Sequence, residues 1–147
     1  MKNLSAVSLL LGGLLACTLA RADALQIREG YVRELPPGQS TSAAYMDVVN
    51  NSNRPVAIVA AVSDVSQSAE VHEHKHADGA MSMAQVRRLV IPAHDHVQFA
   101  PGGYHLMLIN LKRSLRAGDN VKITLLDEEG KAYSAQIPVV KMLGVGK

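Results

Sequence analysis

Turn-forming clusters punctuate this chain from one end to the other, and between them apolar and polar residues alternate instead of recurring at helical spacing. Pro36-Pro37-Gly38, Asn50-Asn51-Ser52-Asn53, Asp78-Gly79, Pro101-Gly102-Gly103, Gly118-Asp119 and Glu128-Glu129-Gly130 are the breaks. Alternation with period two puts successive side chains on opposite faces of a strand, and no segment sustains the 3.6-residue recurrence of an amphipathic helix. Strands are expected at 25–32, 43–49, 57–62, 69–76, 86–91, 97–99, 104–109, 121–126 and 132–139. About nine short strands at close spacing predict an all-β fold, a single-domain antiparallel sandwich or small Greek-key β-barrel. A length of 147 residues leaves room for one ordinary domain, and neither an internal repeat nor a long linker divides it.

The first 22 residues stand apart. Lys2 precedes an apolar stretch from Leu4 to Ala20, and Ala20-Arg21-Ala22 supplies a small-x-small cleavage signal. Residues 1–22 therefore read as a secretory signal peptide and 23–147 as the folded domain. Gly12, Gly13 and the shortness of the apolar run, against the ~20 positions a bilayer helix needs, argue against an anchor, so no membrane span is expected in the mature chain. An alternative processing route uses Leu14-Leu15-Ala16-Cys17, with Cys17 lipidated and kept as the first mature residue.

Removal of the leader changes the chemistry. Lys2 and Arg21 leave while no acid does, so thirteen basic residues face thirteen acidic ones and the mature chain is neutral. With no basic surplus to neutralise phosphates, a nucleic-acid partner is not expected. Cys17 is the only cysteine, so cleavage at Ala22 excludes disulfide exchange, thiol nucleophiles, Cys-ligated zinc and blue-copper ligation.

Histidine and methionine are unevenly placed. All six His fall between His72 and His105, together with Met81 and Met83, and Met107 lies just beyond. In Glu70-Val71-His72-Glu73-His74-Lys75-His76, alternation sends His72, His74 and His76 to one face. Asp78-Gly79 is a favoured two-residue hairpin turn. With these two residues as the loop, Ala77 pairs with Ala80, His76 faces Met81 and His74 faces Met83, leaving His72 diagonal to Met83. In Tyr104-His105-Leu106-Met107-Leu108, Tyr104, Leu106 and Leu108 take the core side while His105 and Met107 take the other. A fold that brings this strand beside the hairpin gathers two imidazoles and two thioethers around one point. Thioether sulfur is soft and neutral, which suits Cu(I) and gives zinc, magnesium or calcium little reason to bind.

The spacing His72, ten residues, Met83, twenty-one residues, His105, one residue, Met107 resembles the copper-binding pattern of the PCuAC family of periplasmic copper chaperones. Neighbouring text is similar too: Val32-Arg33 before Pro36-Pro37-Gly38, Ala43-Ala44-Tyr45-Met46, Ile91-Pro92-Ala93, Pro101 to Leu108, and Leu111-Lys112-Arg113 before Gly118-Asp119. The resemblance implies a cupredoxin-like Greek-key β-barrel holding one Cu(I) through His72, Met83, His105 and Met107. It further implies a periplasmic role in delivering copper toward the CuA centre of cytochrome c oxidase, alongside Sco-like chaperones. This chain departs from the family in having His74 where Met is common, Ser114 where Pro is common, His94-Asp95-His96 in place of a plain turn, and no His/Met-rich C-terminal tail.

The remaining residues have plainer readings. His74 and His76 are either accessory copper ligands, including for Cu(II), or solvated imidazoles. Met81 is expected at a rim, His94 and His96 in solvent, Met46 and Tyr104 in the core, and Met142 in the tail. No nucleophile with an activating base, nucleotide loop or paired-carboxylate arrangement stands out, so an enzyme is not expected. Two other classes stay open: a copper sequestration or resistance protein using the same donors, and an adhesion sandwich that binds no metal.

Overall fold

The computed structural model describes residues 22–141. The expected signal segment, Cys17, Met142 and the tail beyond it lie outside the described residues. Ten strands follow one another: β1 (Leu25–Arg33), β2 (Thr41–Asn50), β3 (Val56–Ser63), β4 (Ser66–Ala77), β5 (Ala80–Gln85), β6 (Leu89–Ile91), β7 (His96–Phe99), β8 (Tyr104–Leu111), β9 (Asn120–Asp127) and β10 (Ala132–Val140). Their order is β5-β4-β8-β7-β2-β1-β10-β9-β3-β6, and the additional β4–β3 and β8–β2 pairings close the sheet into a barrel. The fold is all-β, as the alternation predicts, and is the cupredoxin-like barrel that the resemblance implies. The expected strand 86–91 is shortened to β6 (Leu89–Ile91), and β5 (Ala80–Gln85), which pairs with β4, brings the count to ten against about nine expected. Val86 there donates its N–H to Val71 of β4 at 2.8 Å, which ends the hairpin ladder and turns the chain toward β3.

Period two is visible in the burial of the strands. Val121, Ile123 and Leu125 of β9 and Leu106 and Leu108 of β8 are fully buried, as are Ala44 and Val48 of β2, while Lys122, Thr124 and Met107 between the buried residues of β9 and β8 face out. Each such Val or Leu contributes roughly 1.5–3 kcal/mol through removal from water. Met46, 2% exposed, belongs to this core, and Tyr104 packs against it.

Polar anchors hold the loops at one end. Asn50, wholly buried, donates through Nδ2 to the carbonyls of Arg54 and Ile91 and accepts at Oδ1 from the Ser52 N–H and hydroxyl. All four of its hydrogen-bonding positions are thereby used, which offsets the cost of burying an amide. Asp127 works likewise, accepting from Glu129 N–H, Lys131 N–H and the Tyr133 hydroxyl. In β1 the register shifts between Arg28 and Tyr31, with Glu29 at φ 47°. Past this bulge β1 also runs parallel to β10, pairing Val32 with Val139.

Candidate functional site

Asp78 (φ 52°) and Gly79 (φ 76°) both occupy the left-handed region, the backbone a type I′ hairpin turn requires. The turn sets the register of β4 against β5: Ala77 opposite Ala80, His76 opposite Met81, His74 opposite Met83 and His72 opposite Gln85. This is the pairing expected from the position of Asp78-Gly79. On its other edge β4 pairs with β8, putting His72 opposite His105 and Glu70 opposite Met107. Three adjacent strands therefore present His72, His74, His76, Met81, Met83, His105 and Met107 on one outer face, the side of β8 away from buried Leu106 and Leu108.

The two facing histidines have different surroundings. His105 is 5% exposed, and its Nδ1 lies 3.2 Å from the carbonyl oxygen of Gly103. A carbonyl only accepts, so Nδ1 carries the hydrogen and Nε2 keeps its lone pair. Burial is the main cause that lowers the pKa of His105; the Gly103 carbonyl opposes it, and nearby His74 and His72 add to it. The ring stays neutral, and able to ligate, into more acidic solution than a free imidazole.

His72 is oriented from the other end of its ring. Its Nε2 lies 2.9 Å from Glu70 Oε2. A carboxylate accepts, so Nε2–H donates and Nδ1 holds the free lone pair. That Nδ1 is buried and has no hydrogen-bond partner, an uncommon state for a polar atom that is ordinarily costly unless something else engages it. The His72 and His105 ring centroids are 5.9 Å apart, and those of His74 and His105 are 5.0 Å apart.

Beside these rings runs an open groove of about 310 Å³, lined by His74, Met83, His105 and Met107 and also by Arg33 and Tyr45. His72 does not line this groove, and its ring is held by Glu70. Among the described residues no three or more His, Cys, Asp or Glu side chains form a group able to hold a metal ion. Met83 and Met107 stand on the same face as His72 and His105, so an ion held here can draw on sulfur as well as nitrogen. Neutral imidazole and thioether donors suit a soft monovalent cation and suit a hard divalent one poorly.

His94 and His96 fall in solvent, as expected of them. His94, at φ 56°, and His96 are exposed, and His96 Nδ1 lies 3.6 Å from Asp95. His76 is exposed, and Met81 and Met83 are 65% and 54% exposed. Glu70 went unnoticed in the sequence although its signal was present, since it shares the strand face of His72 two residues away. Arg33 of β1 and Tyr45 of β2 had no such signal, because only the pairing of β2 with both β1 and β8 brings them to the groove.

Known proteins agree with this architecture. The chain is 31% identical over 128 residues to "Putative lipoprotein Lxx21020" of Leifsonia xyli, covering 86% of this chain and 76% of that one. It is 32% identical over 101 residues to the uncharacterized protein RP573 of Rickettsia prowazekii, covering 68% and 56% respectively. Among solved structures it is similar to Cu(I)-bound DR1885 from Deinococcus radiodurans, with a TM-score of 0.67 and 31% identity over 84% of this chain and 83% of that one. It shares its fold with the copper-bound PCuAC domain from PmoF2, at a TM-score of 0.66 and 21% identity over 82% and 96%. Among the described residues no helix is long and apolar enough to cross a membrane. A family model described as "Putative lipoprotein LpqE-like" matches residues 25–139, nearly the whole of the barrel, and the chain belongs to that LpqE-like family.

Proposed function

We propose that the protein is a periplasmic copper chaperone that carries one Cu(I) on the outer face of β4, β5 and β8. His72, Met83, His105 and Met107 are the ligands, with His74 and His76 as accessory donors that also admit Cu(II). The observation that carries this reading is the pair of oriented imidazoles: His72 with Nδ1 free and His105 with Nε2 free, each fixed by a hydrogen bond at its other nitrogen. Ligating histidines are typically held in this way by a carboxylate or a carbonyl. The name of a relative bound to Cu(I), Deinococcus DR1885, supports the choice of ion. The lipoprotein names within the family support an exported protein, whether cleaved at Ala22 or anchored through Cys17.

Transfer then proceeds by ligand exchange. Neutral donors beside an open groove let an incoming acceptor thiolate displace His and Met one at a time, so copper moves down an affinity gradient without release as free ion. The acceptor belongs to the assembly of copper proteins, with the CuA centre of cytochrome c oxidase and a Sco-like chaperone as destination and partner. A second reading, sequestration without delivery, is favoured by the additional exposed His and Met on the hairpin. X-ray absorption on the Cu(I)-loaded protein tests the site, with two sulfur and two nitrogen neighbours expected and an all-nitrogen shell refuting it. Transfer of the bound copper to an apo acceptor separates delivery from sequestration.

A further inference from the structure

We propose that the tip of the β4–β5 hairpin forms a second, outer Cu(I) site from His76 and Met81. The inference rests on the copper reading above and extends it along the same strand face. His76 and Met81 are direct cross-strand partners. Residues so placed have Cβ atoms about 4.5–5.5 Å apart, within the reach of an imidazole and a thioether closing on one ion. Both are exposed, Met81 at 65%, so packing gives no account of a large apolar side chain there. Its neighbour on the same face, Met83, is 54% exposed, and β5 thus places two thioethers in solvent opposite two histidines.

The outer pair is separate from the inner ligands. His76 lies four residues along β4 from His72, about 13 Å on the same strand face, too far for these two parallel imidazoles to close on one ion. Charge does not oppose binding at the tip. Lys75, the one cation on this stretch of β4, projects to the opposite face, where its ammonium lies 3.2 Å from Glu73. A soft two-donor set of one imidazole and one thioether selects Cu(I) over zinc or calcium. With two donors in place of four, it holds copper more weakly than the inner site and fills after it.

The test is a titration of the metal-free protein with Ag(I), a redox-inert stand-in for Cu(I), followed by NMR of the methionine methyl groups. The first equivalent is expected to shift Met83 and Met107, and the second to shift Met81 together with the His76 ring. Met81→Leu is expected to abolish the second equivalent and leave the first unchanged, and His76→Ala is expected to abolish the second equivalent. The hairpin site is overturned if Met81 never shifts, or if it shifts with Met83 in the first equivalent as part of one site. It is also overturned if both variants still take two equivalents. No movement of any methyl overturns the copper reading itself, and the outer site with it. The exposure of both residues keeps either substitution from threatening the fold, and unchanged backbone amide spectra verify this.

Discussion

His72 of β4 stands directly opposite His105 of β8, their rings 5.9 Å apart, and each ring is hydrogen-bonded through a different nitrogen. His72 is held at Nε2 by Glu70 and His105 at Nδ1 by the Gly103 carbonyl. The free lone pairs are therefore Nδ1 of one and Nε2 of the other. These two orientations make different parts of the site sensitive to different substitutions.

Glu70 orients His72 and is not itself expected to bind the ion. Glu70→Ala should weaken Cu(I) binding by roughly 10–100-fold, the usual cost of removing the partner behind a ligating histidine. Glu70→Gln retains an oxygen acceptor and should recover much of that loss. Competition against a chromogenic Cu(I) chelator gives the affinities. Equal binding by wild type and Glu70→Ala would show that the carboxylate does not position the ring.

Met83→Leu and Met107→Leu remove sulfur while nearly conserving volume, so stability should change by less than about 1.5 kcal/mol. Cu(I) affinity should fall at least as far as in Glu70→Ala. Chelator competition beside thermal unfolding separates the two effects. A thioether that only packs would lower stability and leave affinity intact.

Gly30 leaves no space for a side chain. A Cβ there would lie 2.6 Å from Cγ2 and 3.3 Å from Cβ of Ile137, a buried β-branched residue that cannot swing aside. Gly30→Ala should destabilise the barrel by about 1–3 kcal/mol, the range typical of overpacking. Gly38→Ala, at φ 88° with open space around it, serves as a control that tests backbone conformation without a clash. Urea unfolding of both variants measures the difference, and an unaffected Gly30→Ala would mean that β1 can move away from β10.

Tyr133 supplies a pH-dependent contribution. Burial, then its hydrogen bond to Asp127 and the charge of that carboxylate, push its hydroxyl from 10.0 up to about 12. A group whose pKa is raised on folding stabilises the protein fully below the unfolded value and loses that contribution as pH rises through the folded one. Between about pH 10 and pH 12 the unfolded chain gives up the phenolic proton while the folded chain keeps it. Tyr133→Phe should cost about 1–3 kcal/mol near neutral pH by leaving Asp127 short of a donor. The gap between wild type and variant should narrow from pH 10 to pH 12, read from denaturant midpoints, and a constant gap would contradict the assignment.

Much of the site is local and so was legible in order of residues alone. Asp78-Gly79 dictates a two-residue turn, and this specifies which of His74, His76, Met81 and Met83 face one another, because a one-residue slip in register would invert every side chain. Alternation likewise separates His105 and Met107 from Leu106 and Leu108, since consecutive strand residues cannot share a face. The all-β class follows from the same periodicity. Tertiary structure alone decided that β8 lies along the free edge of β4, that His72 meets His105, and that Arg33 and Tyr45 join the lining of the groove. Those contacts join segments more than thirty residues apart, and such pairing is selected by closure of the whole barrel around its core, a collective requirement that no short stretch of residues encodes.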